Sequence, residues 1–180
     1  TIKDDDELLE AKLTTGNSQV LIAVKSGKCI RFEEGKTRPM GRNASGVRGI
    51  RLKDSSDEVI GMISVNDMDS DILVVSENCY GKRSSLEDYR ITNRGGKGVK
   101  TISITDKTGN LVSIKNVSDG DDLMIINKSG IAIRMEVSDL RVMGRATQGV
   151  KLINIKDNDS IAAVAKVVLE EDEVQDIDNI

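Results

Sequence analysis

Arg90-Ile91-Thr92-Asn93-Arg94-Gly95-Gly96-Lys97-Gly98-Val99-Lys100 is a glycine-rich basic stretch that leads into a β-like segment. It is one of three. Arg38-Pro39-Met40-Gly41-Arg42-Asn43-Ala44-Ser45-Gly46-Val47-Arg48 lies 52 residues earlier, and Arg141-Val142-Met143-Gly144-Arg145-Ala146-Thr147-Gln148-Gly149-Val150-Lys151 lies 51 later. All three fit R-x-x-[GN]-R-x-x-x-G-V-[KR] without a gap. Self-similarity at a fixed period of about 50 residues is the mark of a repeat architecture.

Working outward from the motif, each repeat reads as four short strands. In the first, 19–65, Val20–Val24 is a continuous apolar run, as expected of a strand buried on both faces. Ser26-Gly27 signals a tight turn into Lys28–Phe32. A polar loop carries the motif, Val47–Leu52 alternates apolar and basic residues, and a turn at Asp54–Asp57 leads into Glu58–Val65. The second repeat, 71–117, offers Ile72–Val75, Tyr80–Arg83, Val99–Ile104 and Asn110–Val117. The third, 122–168, offers Leu123–Ile126, Ile131–Met135, Val150–Ile155 and Ser160–Val168. The last of these favours helix by composition. Its counterparts in the other repeats are rich in glycine and β-branched residues, so the register reads it as strand.

The two ends differ from the body. Asp4–Glu7 before Leu8-Leu9-Glu10-Ala11 resembles a capped short helix when read alone. Set against the repeats, residues 1–13 match the final strand of a preceding blade whose beginning is absent, so the chain is expected to be cut from a longer array. Residues 169–180 form an acidic tail of low hydrophobicity, expected to be disordered.

Four strands per unit of about 51 residues predict an all-β, propeller-like array, in which each four-stranded blade covers its neighbour and few sheet edges stay bare. There is no Trp-Asp dipeptide and no recurring aromatic-plus-double-glycine pattern. Propellers of the WD and kelch types are therefore disfavoured.

Composition excludes several chemistries. With no histidine the usual general base and metal ligand is missing. Cys29 and Cys79 have neither zinc-ligand spacing nor a disulfide framework around them. One Phe, two Tyr and no Trp leave no aromatic platforms for stacking unpaired bases. No signal peptide and no apolar run of membrane-spanning length stands out, so a cytoplasmic location is expected.

The net charge of −4 conceals segregation. Residues 25–53, 82–100 and 128–151 carry nine, six and five basic residues, against two acids each. Between them, 54–71 has six acids and no base, and 101–122 has four acids and two bases. If the repeats stack in register, one edge is strongly positive, which is the charge layout of a polyanion-binding face.

Counting from the motif glycine (46, 98, 149), position −15 is Arg31, Arg83 and Arg134; −8 is Arg38, Arg90 and Arg141; −4 is Arg42, Arg94 and Arg145; and +2 is Arg48, Lys100 and Lys151. A merely solvated face would drift between Lys, Arg, Glu and Gln. Recurrent arginine points to forked, charge-assisted bonds to an anion such as phosphate. The competing reading is that some pair with acids of adjacent repeats, position −15 above all because it lies on a strand. Gly95, Gly96 and Gly98, with Lys97 among them, are suited to close backbone approach to phosphates, or simply to turning the loop. This is not a Walker A loop, since Lys97 is followed by Gly98.

Arg38-Pro39-Met40-Gly41-Arg42 with Gly46–Leu52, Tyr80-Gly81-Lys82-Arg83, Arg94–Val99 and Gly144–Val150 together resemble the C-terminal domain of bacterial DNA gyrase A. The resemblance covers nearly all of the chain. It implies a β-pinwheel, a propeller-like disc whose neighbouring blades exchange strands and whose basic perimeter bends and wraps duplex DNA. It adds Lys82 to the candidate contacts. The family's box Q-R-R-G-G-K-G has its nearest match in Thr92–Gly98, identical at five of seven places and read as an echo of the box.

By the same resemblance the partners are double-stranded DNA, the rest of gyrase A, and gyrase B, joined in an A2B2 assembly. ATP and magnesium are used elsewhere in that holoenzyme, and no cofactor is expected in this stretch. Two other readings stay open: the C-terminal DNA-binding domain of topoisomerase IV, and a protein-interaction propeller. Tyr89 beside Arg90 invites comparison with the nucleophilic tyrosine of these enzymes. The other repeats place Thr37 and Leu140 there, with no acid cluster for magnesium, so no catalytic residue is assigned. The acidic tail is expected either to compete with DNA for the basic edge or to act as a solubilising segment.

Overall fold

The structure is a computed structural model that describes residue 2, residue 4, residues 6–155 and residues 159–167. The acidic tail and the end of the expected strand at Val168 lie outside the described residues. The strands are β1 (Gln19–Val24), β2 (Lys28–Glu33), β3 (Val59–Val65), β4 (Asp71–Ser76), β5 (Tyr80–Ser85), β6 (Val99–Lys100), β7 (Leu111–Val117), β8 (Asp122–Asn127), β9 (Ala132–Glu136), β10 (Val150–Lys151) and β11 (Ile161–Val167). The Ala-rich β11 is a strand, as the repeat register required, because pairing with β8 supplies its backbone partners. No helix among the described residues is long and apolar enough to cross a membrane.

Three antiparallel sheets follow one another along the chain, in the orders β3-β1-β2-β6, β10-β5-β4-β7 and β11-β8-β9. The first and second sheets each borrow a strand from the repeat that follows: β6 pairs with β2, Lys28 opposite Lys100, and β10 pairs with β5, Gly81 opposite Val150. This is the strand exchange that the pinwheel resemblance implies.

Three strand expectations need correcting, and this exchange explains the first two. Val47–Leu52 forms no strand. Its counterparts β6 and β10 pair with a hairpin of the preceding repeat, and no such hairpin precedes it among the described residues. The third strands of the second and third repeats also shrink from six residues to two, because only their first residues reach that neighbouring hairpin. Residues 6–13, expected as a final strand, likewise carry no strand; Glu10 instead accepts a hydrogen bond from the Met62 amide on the outer side of β3. Three single-turn 3-10 helices at Glu34–Lys36, Leu86–Asp88 and Val137–Asp139 lie at the same place in each repeat, after the hairpin.

Period-two alternation divides each inner strand between two cores. Leu21, Ala23, Cys29, Ile63 and Val65 face the second repeat and pack on Ile72, Val74, Leu86, Tyr89, Ile102, Leu111 and Ile114. Leu73, Val75, Cys79 and Val117 face the third and meet Leu123, Ile125, Val137, Leu140, Ile161 and Val164. β4 is thus buried on both sides, which is why it reads as an unbroken apolar run. Tyr89 is a core residue: its fully buried hydroxyl lies 2.6 Å from Thr101 Oγ1, and burial raises its pKa. Tyr89→Phe is expected to cost about 1 kcal/mol in urea unfolding, the net value of one hydrogen bond, and to leave duplex affinity unchanged.

Candidate nucleic-acid interface

The motif loops run over the seam between blades, and main-chain bonds fix them there. Thr92 donates to the Arg31 carbonyl at 2.8 Å, Gly95 to Gly49 at 2.7 Å, and Arg51 to Gly96 at 2.8 Å. The Gly95 amide is thereby satisfied within the protein and is not a phosphate donor. Gly98 has φ +68°, and a Cβ there would stand 2.6 Å from the Cys29 carbonyl oxygen; Gly149, φ +80°, would meet that of Gly81 at 2.5 Å. Only glycine permits both the left-handed backbone and this approach. These glycines thus have a packing task beside the expected approach to phosphate: a Cβ on Gly95 or Gly98 would meet backbone of the preceding blade, and one on Gly96 the Ile30 side chain.

The four arginine positions divide by role. At −15, Arg31 and Arg83 are buried and fully engaged, against the expectation of DNA contact. Arg31 donates from Nε to Gln19 Oε1 at 2.6 Å, and from Nη1 to the carbonyls of Leu86 at 2.6 Å and Tyr89 at 3.0 Å. Burial pulls its pKa below the usual arginine value. Arg83 binds the Leu140 carbonyl and Asp119, with Asp71 at 3.6 Å. Each guanidinium satisfies carbonyls at the 3-10 turn of the next repeat, so this position is an inter-blade clamp. Arg134 holds Asp122 at 2.5 Å and stays exposed, with no further repeat beside it among the described residues. Arg31→Met is expected to lower unfolding free energy by about 2–3 kcal/mol, because it orphans two buried carbonyls, while the salt dependence of duplex binding stays unchanged.

At −4 the arginines face both ways. Arg94 Nη1 bonds the Arg48 carbonyl at 2.6 Å and Arg145 Nη1 the Lys100 carbonyl at 2.9 Å, yet both side chains remain partly at the surface. Each ties its own loop to the +2 residue of the preceding repeat. Arg42, in the first repeat, is exposed. At −8, Arg38, Arg90 and Arg141 are exposed in every repeat, and so are Arg48, Lys100 and Lys151 at +2, with Lys97 among them.

Lys82, expected as a contact, is buried beneath the third repeat's loop. Its Nζ donates to the Gly144 carbonyl at 2.5 Å and lies 3.4 Å from Ser84 Oγ. The expected interface missed the partners of the clamp: Gln19, Asp71 and Asp122 each stand 12 residues before a −15 arginine. That recurring offset, which spans one hairpin, was a usable signal.

A family model described as "DNA gyrase C-terminal domain, beta-propeller" matches residues 19–66, 70–118 and 121–167. The chain belongs to this family. The three matched segments coincide with the three repeats of the gyrase C-terminal domain seen here. DNA gyrase A of Staphylococcus epidermidis is 45% identical over 171 residues, and that of Staphylococcus aureus 46% over 175. The chain spans 19% and 20% of those two proteins' lengths. Among solved structures, a DNA gyrase A C-terminal domain superposes with a TM-score of 0.85 at 27% identity, over 93% of this chain and 57% of that one. The C-terminal domain of DNA topoisomerase IV superposes with a TM-score of 0.86 at 21% identity, over 93% and 52%, a likeness of fold.

Proposed function

We propose that this gyrase C-terminal domain binds, bends and wraps duplex DNA without sequence preference on its exposed basic rim. It does so as part of a gyrase holoenzyme, with gyrase B and the rest of gyrase A in an A2B2 assembly, and so supports ATP-dependent negative supercoiling. One observation carries the reading: the basic residues at −8 and +2 stay exposed in all three repeats, whereas those at −15 and −4 are largely taken up by the protein itself. Six solvent-facing charges at two repeating places, in loops tied by backbone bonds between blades, have no structural task among the described residues that explains their recurrence. Phosphate contacts of this kind position a duplex and carry no sequence information. Bending a site of roughly 20–30 base pairs costs on the order of 1–6 kcal/mol, so contacts have to be distributed along an arc, as successive blades provide.

The test is duplex affinity across salt concentration. Six phosphate contacts predict a log–log slope of about −5, from ~0.9 per contact. Binding that is weak and indifferent to salt would refute the rim. Ligation of nicked circles on the domain then separates wrapping, which changes linking number, from the plain binding of the topoisomerase IV reading.

A further inference from the structure

Lys82 occupies the place that Ile30 and Ile133 hold in the other repeats, at −16 from the motif glycine. In the first seam Ile30 faces Gly96, whose Cβ position would be 3.5 Å from Ile30 Cδ1. In the second seam the residue matching Gly96 is Thr147, and the contact is polar: the Gly144 carbonyl accepts from Lys82 Nζ at 2.5 Å, from Thr147 Oγ1 at 2.9 Å and from the Thr147 amide at 3.2 Å. Three donors thus converge on one oxygen at the heart of the third loop. The same loop sends Arg145 to the Lys100 carbonyl, and its Arg145 amide to Asp88 at 3.3 Å.

An amine that is 1% exposed needs compensation. The charged groups around it are Asp88 on the 3-10 turn and Arg145 on the loop; Ser84 is the polar neighbour on its own strand, and Val74, opposite it on β4, is apolar. No carboxylate among the described residues bonds Lys82 directly.

We propose that Lys82 is a positioning residue: its buried amine braces Gly144–Thr147 from beneath, and its protonation is coupled to the anion held by the loop's outer arginines. The coupling half rests on the DNA-binding reading above; the bracing half does not. Burial first, and then Arg145, push the Lys82 pKa down to about 8, with Asp88 opposing. A phosphate beside Arg141 and Arg145 offsets the positive charge that disfavours a protonated Lys82, so binding draws a proton in. Because the folded pKa lies below the ordinary lysine value, this group's contribution to stability is present at high pH and is lost as pH falls through about 8.

The experiment follows the Lys82 Cε and the amides of Gly144–Thr147 by NMR from about pH 6 to about pH 12, a range that brackets both about 8 and the ordinary lysine value of ~10.4, first without DNA. One common midpoint near 8 is expected, with amide titration abolished in Lys82→Ile, a variant that copies the side chain used by the sister repeats. A Lys82 midpoint near the ordinary lysine value, or amides that do not move with it, overturns the proposal. With a short duplex added, the midpoint is expected to rise. Bound duplex with an unchanged midpoint overturns the coupling. A wild-type domain that binds no duplex at any pH refutes the DNA reading and with it the coupling, while the DNA-free titration still decides the brace.

Discussion

Replacing Arg38, Arg90 and Arg141 together with glutamine is expected to weaken duplex binding on the order of 10²–10³-fold at about 0.1 M salt and to flatten the salt slope by about 3. These three side chains occupy the same exposed place in successive repeats, so on the proposed rim each removal deletes one phosphate contact and the counterion release that accompanies it. Thermal stability should hardly change, since surface substitutions away from structural features stay within about 0.5 kcal/mol. The contrast with Arg31 and Arg83 makes the test decisive: the same residue type, removed 7 positions earlier in the repeat, should affect folding and leave the slope alone. If the triple variant keeps the wild-type slope, the rim is not where DNA lies.

Gly98→Ala should produce the largest loss of stability for the smallest chemical change. Two costs combine. A residue other than glycine pays about 1–2 kcal/mol to hold a left-handed backbone, and the new Cβ would stand 2.6 Å from the Cys29 carbonyl oxygen and 2.9 Å from its carbon, atoms of β2 that are fixed in two ladders. Gly46→Ala isolates the first cost, because Gly46 has φ +77° with nothing within 4 Å of its Cβ position. Urea unfolding is expected to show Gly46→Ala down by about 1 kcal/mol, and Gly98→Ala down by at least about 3 kcal/mol, from backbone strain together with a blocked close approach. Equal losses would mean that the seam gives way without cost, and that the glycine is needed only for its turn.

The sequence made the three repeats, the strand hairpins and the basic motif legible, because alternation and turn residues act over a few positions. The division of labour among the arginines was not legible. Arg31 and Arg38 are the same residue in the same basic segment; what separates them is the neighbouring blade, whose Leu86 and Tyr89 carbonyls come from more than 50 residues away. Lys82 was misread for a similar reason, since a lysine beside an arginine on a strand looks like surface charge until the third repeat's loop is laid across it. The short β6 and β10 escaped a within-repeat reading because their partners belong to another repeat. Of the proposed contacts, those at −8 and +2 were readable from recurrence alone, being exposed places whose side chains make no hydrogen bond or ion pair among the described residues.

Because β6 belongs to the first sheet, that sheet cannot be finished by the residues that begin it. During synthesis from the N-terminus, β1, β2 and β3 are complete once Val65 has emerged, yet their outer place beside β2 stays vacant until Lys100 leaves the ribosome. The second sheet likewise waits for Lys151. Each of these two blades therefore spends part of its biosynthesis with an open edge, and a nascent chain stalled between 65 and 99 presents β2 to any strand that comes near. The exchange that welds the array makes its assembly sequential, with the first and second blades each sealed by the one that follows.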